Sequence, residues 1–323
     1  MALYFLFTYR AALQAVLQPF YAFSLNVAQR FTFILQPRNY TIYMKLMLKT
    51  TVLFVTLVGL MLLIFRDELF LHEAAAANGL EKLASLPREV NESSGLAVLG
   101  QGQYLTHNDA GNSPNLYLLN AQGKLQQTIS LRLPNVDWED LTQDAEGNIY
   151  IADTGNNEND RRELAVYKLH PERPEQVQAI RFSYEDQTAY PPKKKQRNFD
   201  SEAIFWSNGK LYLISKDRGR GETAKVYQLP DQPGTYKARL IGSHNLKALV
   251  TGAAISPDGK TVALVSEEEL HLFRGYSSPD KFYEGQYEKQ KLDDAGQTEA
   301  VAFEGNNRLV LTSEGGNLYY FPL

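Results

Sequence analysis

The 323-residue chain contains no cysteine, which removes disulfides, thiolate metal centres and cysteine nucleophiles. The compartment stays open, because many exported proteins also lack cysteine. A basic surplus is missing too. The formal net charge is −4, so nucleic-acid binding is not expected, since a dedicated binder would be basic. Neither a G-x-S-x-G elbow nor a Walker loop occurs, and linear order assigns no Ser–His–Asp relay. Residues 1–43 lack Asp and Glu altogether while carrying Arg10, Arg30 and Arg38. That stretch reads either as an amphipathic targeting segment or as an over-called start, with translation beginning at Met44 or Met47.

From Met44 the chain turns apolar. Lys45 and Lys49 precede the uncharged run Thr50–Phe65, which Arg66 and Asp67 close. A helix over that run spans about 24 Å, and snorkelling lysines extend it toward a ~30 Å hydrocarbon core. Residues 44–66 therefore read as a membrane anchor with a cytoplasmic N-terminus, placing the rest outside a bacterial inner membrane, in the periplasm. Cleavage near Ala74–Ala77, releasing a secreted protein, is the alternative. Residues 67–79 are assigned as a linker, and 80–323 as the folded domain.

After residue 90 one pattern recurs five times: a small or acidic residue, an apolar pair, a turn, then a β-rich run. The copies begin at Ser94, Glu139, Glu202, Thr251 and Glu299, spaced 45, 63, 49 and 48 residues apart. This is the spacing of propeller blades. In the third copy Glu202–Trp206 and Lys210–Ser215 flank the turn Ser207-Asn-Gly209, and two more strands follow. Four antiparallel strands per copy predict an all-β, five-bladed β-propeller. A solenoid or β-sandwich would also accommodate five weak repeats. The fifth copy, however, ends after its third strand, so Leu80–Arg88 is expected to supply its outer strand and close the ring. Nineteen tyrosines and sixteen phenylalanines suit pleated faces.

In a closed ring the five leading side chains meet at one channel mouth. Three converging glutamates repel one another unless protonated or bridged by a cation. Oxygen donors without His or Cys favour a hard ion, Ca²⁺ over Mg²⁺. The expected metal set is Ser94, Glu139, Glu202, Thr251 and Glu299; glutamates paired with Lys or Arg are the competing reading. Loops after each second strand add candidate ligand-binding residues Asn108, Asp153, Asn156, Glu267 and Glu314. An unknown small molecule or protein at the mouth is the expected partner, besides the membrane held by the N-terminal helix.

The order Ser94, Glu139, Glu202, Thr251, Glu299 resembles the SdiA-regulated (YjiK-like) family of membrane-anchored five-bladed propellers, with Thr251 in place of a serine. It is more distantly similar to calcium-activated nucleotidases (apyrases), with Trp138-Glu139 and Val265-Ser-Glu-Glu268 resembling pieces of that family. The second resemblance implies a Ca²⁺-dependent hydrolase of phosphate esters. Lys216 and Arg218 would then neutralise charge, and Asp109 or His107 would handle the proton. His107-Asn-Asp109 lacks the arginine that the nucleotidases carry there. The DTGNN run at 153–157, with Arg161-Arg162, also resembles secreted propellers labelled esterase-like or phytase-like. The basic run Pro191–Arg197 reads as a solvated loop or as a surface for an anionic partner. Trp138 and Trp206 are expected to pack between blades.

Overall fold

The computed structural model describes residues 79–323 except Gln101, together with Lys49. The segment 1–43, the anchor 44–66 and nearly all of the linker lie outside the described residues. No helix among the described residues is long and apolar enough to cross a membrane.

Each repeat becomes a four-stranded antiparallel meander. The first contains β2 (Ser93–Gly100), β3 (Gln103–Asn108), β4 (Asn115–Asn120) and β5 (Leu125–Ser130). The second contains β6 (Trp138–Gln143), β7 (Ile149–Asp153), β8 (Leu164–His170) and β9 (Arg173–Tyr184). The third contains β10 (Asp200–Ser207), β11 (Lys210–Lys216), β12 (Thr223–Pro230) and β13 (Gly234–Asn245). The fourth runs β14 (Val250–Ile255), β15 (Thr261–Ser266), β16 (Glu269–Arg274) and β17 (Gln286–Lys291). The last has β18 (Thr298–Phe303), β19 (Arg308–Ser313) and β20 (Asn317–Pro322), with β1 (Glu81–Ser85) paired antiparallel on β20.

Local chemistry sets these hairpins. At 208–209 both Asn208 (φ 50°) and Gly209 (φ 75°) are left-handed, as a two-residue turn matched to strand twist requires. The second and third units merge into one eight-stranded sheet through a parallel pairing of β13 with β9. That pairing covers two edges that would otherwise offer free backbone groups.

The first strands neighbour one another in a closed circuit, β2–β6–β10–β14–β18 and back to β2. This is propeller architecture. The core lies between adjacent units, where apolar residues from facing sheets interdigitate. Tyr150, Phe182, Tyr184, Ile204 and Tyr227 share one such cluster, and Phe205, Tyr212, Phe273 and Phe282 another.

Register adds one more feature. The pairing of first with second strand slips at the same place in every unit, between Ser93/Gly95, Trp138/Asp140, Ser201/Ala203, Val250/Gly252 and Thr298/Ala300, and the first unit slips again between Val98 and Gly100. The residue skipped at each shared slip is Ser94, Glu139, Glu202, Thr251 or Glu299. All five leading residues are thus the extra residue of a β-bulge. A bulge leaves that residue unpaired and re-aims its side chain.

Candidate functional site: an acid mouth

Just past the bulges come Gly95, Asp140, Ala203, Gly252 and Ala300, at equivalent register in the five units. Four are small and one is not. A Cβ on Gly95 would lie 2.6 Å from the Leu141 nitrogen and 2.7 Å from the Asp140 carbonyl carbon, so this layer is already full. The Asp140 carboxylate occupies the space the small residues leave. It accepts N–H bonds from Leu141 (2.7 Å), Ile204 (2.9 Å) and Ala253 (3.2 Å), and from Leu96. Those donors come from four different units. Burial drives this carboxyl toward protonation, and the peptide N–H groups oppose it. Asp140 ties the ring together at its waist.

Above that layer opens a cavity of about 510 Å³, bordered by Ser94, Glu139, Glu202, Glu299, Lys216 and Arg218, with Glu314 on the rim. Two carboxylate trios converge there with oxygens within 4.8 Å: Asp109, Asp137 and Glu139, and then Glu139, Asp200 and Glu202. The trios differ in their counter-charges. Arg218 Nε donates to Asp200 Oδ2 at 2.5 Å, while Arg218 Nη2 and Lys216 Nζ both pair with Glu202. Glu139, only 6% exposed, has no hydrogen-bond or ion-pair partner for its carboxylate among the described residues. Burial first, then the charges of Glu202, Asp200, Asp109 and Asp137, push Glu139 well above the usual carboxylate range. Burial likewise moves Asp137 up to about 6 and Glu299 up to about 7. Glu202 is also driven upward by burial, against the pull of Lys216 and Arg218.

Gly155 explains how two acids come so close. A Cβ there would collide with Glu139 Oε1 and the Asp137 carboxyl, so only glycine leaves them room. The DTGNN run is otherwise a scaffold. Asp153 is fully buried, paired with Arg161 at 2.8 Å and accepting the Asp137 N–H at 3.2 Å. Asn156 donates its side-chain amide to the Phe199 carbonyl, and its side-chain oxygen accepts the Arg161 N–H. Neither borders the mouth, so the ligand-binding role expected of both gives way to a structural one.

The other expected residues divide similarly. Ser94 borders the cavity, but its hydroxyl donates to the Glu139 carbonyl at 2.6 Å. The Thr251 hydroxyl donates to the Thr298 carbonyl at 2.6 Å, and Thr251 does not border the cavity. Both hydroxyls bridge neighbouring units, which occupies them. Glu299 borders the cavity but belongs to neither trio. His107 is completely buried, edge-on to Trp138 with ring centroids 5.5 Å apart, its Nδ1–H donating to the Asn108 carbonyl. Burial lowers it to about 4, leaving a neutral packed ring away from the mouth. Asn108 is buried as well and donates to the Glu89 carbonyl at 2.8 Å. Glu267 borders a separate depression with Lys247 and Lys291. Asp109, Lys216, Arg218 and Glu314 do face the mouth. The basic run lies beside a further cavity, with Arg197 paired to Glu158 at 2.7 Å.

Asp137 and Asp200 were not among the expected ligands, although each stands two residues before a leading glutamate. The repeated Asp-x-Glu at 137–139 and 200–202 was the available signal.

No family model matches the chain, and no curated protein matches it. Among solved structures it is similar to a gluconolactonase from Xanthomonas campestris, at 15% identity and TM-score 0.45, covering 76% of this chain and 89% of that one. A PQQ-bound aldose sugar dehydrogenase from Streptomyces coelicolor gives 12% and 0.44, covering 75% and 97%. The β-propeller domain of Cps50 (Swd1) from Myceliophteria thermophila gives 11% and 0.40, covering 76% and 99%. Likeness of this degree carries neither substrate nor chemistry to this chain.

Proposed function

We propose that the chain is a five-bladed β-propeller whose acid mouth binds a divalent cation, with Ca²⁺ as the preferred ion, and that it acts as a binding module. One observation carries this reading: Glu139 is buried without a partner and aimed into a group of carboxylates that outnumbers its basic neighbours. Such a charge is costly to bury alone and is relieved by a proton or a metal. All available donors are oxygens, which suits a hard ion. Asp109, Asp137 and Glu139 would hold it, because the second trio already has Lys216 and Arg218. The ion therefore belongs to the side of the mouth formed by the first two units, off the common axis of the five leading residues.

With the apolar run at 50–65, the domain is read as anchored to a bacterial inner membrane and facing the periplasm, as in the SdiA-regulated family that its leading residues resemble. Lys216 and Arg218 beside the ion site favour a second reading, a Ca²⁺-dependent phosphate-ester hydrolase. His107 would take no part in it, being sealed between units.

Calorimetric titration of the full chain with Ca²⁺ tests the first reading. Saturable uptake of one ion, weakened at least about tenfold in Glu139→Gln and less in Asp137→Asn, is expected; no uptake at all overturns it. Phosphate release from nucleotides and sugar phosphates, with Ca²⁺ and with chelator, decides the second.

A further inference from the structure

The innermost strands end at a second mouth, on the other side of the Asp140 layer. There a cavity of about 420 Å³ is walled by Leu96, Val98, Leu141, Ile255, Phe303 and Trp206. A mostly apolar concavity of this volume is the size that holds small organic ligands. Trp206 was expected to pack between blades. It does pack against the core between the second and third units, and it also borders this cavity, with its Nε1–H donating to Asp231 at 2.8 Å, which fixes the ring.

The polar groups in the wall are largely committed. Gln143 Nε2 donates to the Val98 carbonyl at 2.6 Å, and Thr142 Oγ1 accepts the Trp206 N–H at 3.0 Å. Asp144 accepts from two backbone N–H groups, the Asn148 amide and the Tyr150 hydroxyl. Asp258 is different. Its Oδ1 takes the Ser256 hydroxyl (2.7 Å) and the Lys260 N–H (3.1 Å), but Oδ2 meets only Lys260 Nζ, 3.8 Å away on a side chain 81% exposed. An exposed pair at that distance contributes little. The lining includes two aspartates and no Lys, Arg or His; Lys168, outside it, already pairs with Asp144 at 3.5 Å, so Asp258 is the less compensated charge and its complement is a cation.

We propose that the second mouth binds an organic cation with an apolar body, a protonated amine or quaternary ammonium compound. Its charge sits near Asp258 and the Trp206 face, and its carbon frame rests on Phe303 and Ile255. Attraction between a cation and an indole face adds to the carboxylate's pull, and the apolar wall selects against small hydrated ions.

The chain has two tryptophans, and the other, Trp138, is wholly buried, so emission from Trp206 reports occupancy. The full chain is titrated with benzyltrimethylammonium in the presence of chelator, which makes the result independent of any ion at the acid mouth. Benzyl alcohol and benzenesulfonate are titrated in parallel. A saturable emission change with the cation alone is expected, absent in Trp206→Phe and weakened about fivefold in Asp258→Asn. Calorimetry on the wild-type and Asp258→Asn chains gives the same comparison without relying on the tryptophan variant. No saturable binding, equal binding of the neutral or anionic probe, or unchanged affinity in Asp258→Asn overturns the proposal.

Discussion

At one end of the innermost strands, two carboxylate trios share Glu139, with Glu299 and Glu314 beside them, and Lys216 and Arg218 pair only with the second trio. At the other end the same strands present Leu96, Val98, Ile255 and Phe303. The difference comes from backbone register. At the acid end each strand carries a bulge, which turns one side chain per unit toward the channel. Beyond it, regular pleating resumes and alternate residues face inward, with a further slip in the first unit between Val98 and Gly100. Asp140 and four small neighbours separate the two regimes. One set of strands can therefore support two unlike sites, provided the waist is closed.

The severest way to break this comparison is Asp140→Ala. It leaves at least three buried N–H groups without an acceptor, each costing about 1–3 kcal/mol. Denaturant unfolding is expected to show a loss of at least ~3 kcal/mol; a near-neutral result would mean the waist needs no pin. Next comes Glu139→Gln, which should reduce Ca²⁺ affinity at least about tenfold while raising the melting temperature of the metal-free protein. A lower metal-free melting temperature would show that Glu139 is not a burden to the fold. Gly155→Ala should also weaken Ca²⁺ binding, by forcing Asp137 and Glu139 apart, and leave the second mouth unaltered.

A gentler probe is pH. Glu299, with an ordinary value of 4.5, is raised to about 7 by burial. Between those values the folded chain holds a proton that the unfolded chain has released, so metal-free stability should fall as pH rises through the window. Melting temperatures at pH 5 and pH 8 test this, and added Ca²⁺ should narrow the gap because it favours the ionised mouth. A metal-free chain more stable at pH 8 contradicts the assignment. The smallest effect is expected from Ser94→Ala: a lost hydrogen bond to the Glu139 carbonyl, about 1 kcal/mol, with Ca²⁺ affinity retained.

Much of this was legible in the sequence, for identifiable reasons. Strand alternation and the Asn208-Gly209 turn are local, so repeat boundaries and hairpins follow from composition. The five leading residues also mark a common structural position. Their side chains do not share a common role, because a short hydroxyl beside a neighbouring strand finds a carbonyl before it reaches the axis, as Ser94 and Thr251 do. His107 and Asn156 drew attention as polar residues on loops near the mouth, whereas burial committed both to packing and backbone bonds. Asp140 was overlooked although the series Gly95, Asp140, Ala203, Gly252, Ala300 singles it out. A lone acid among small residues at matched positions signals a pin that draws its donors from several units. Distances between neighbouring units, such as Asp109 to Glu139, have no counterpart in linear spacing.

The clasp formed by β1 on β20 has a mechanical consequence. A force applied at Gly79 reaches β1 first, and among the strands β1 hydrogen-bonds to β20 alone, through a short register interrupted between Lys82 and Ala84, with Leu83 and Ala84 packed against the first unit. Tension on this end would unzip that strand before disturbing any other, so the circle yields at its seam while the remaining sheets keep their shape.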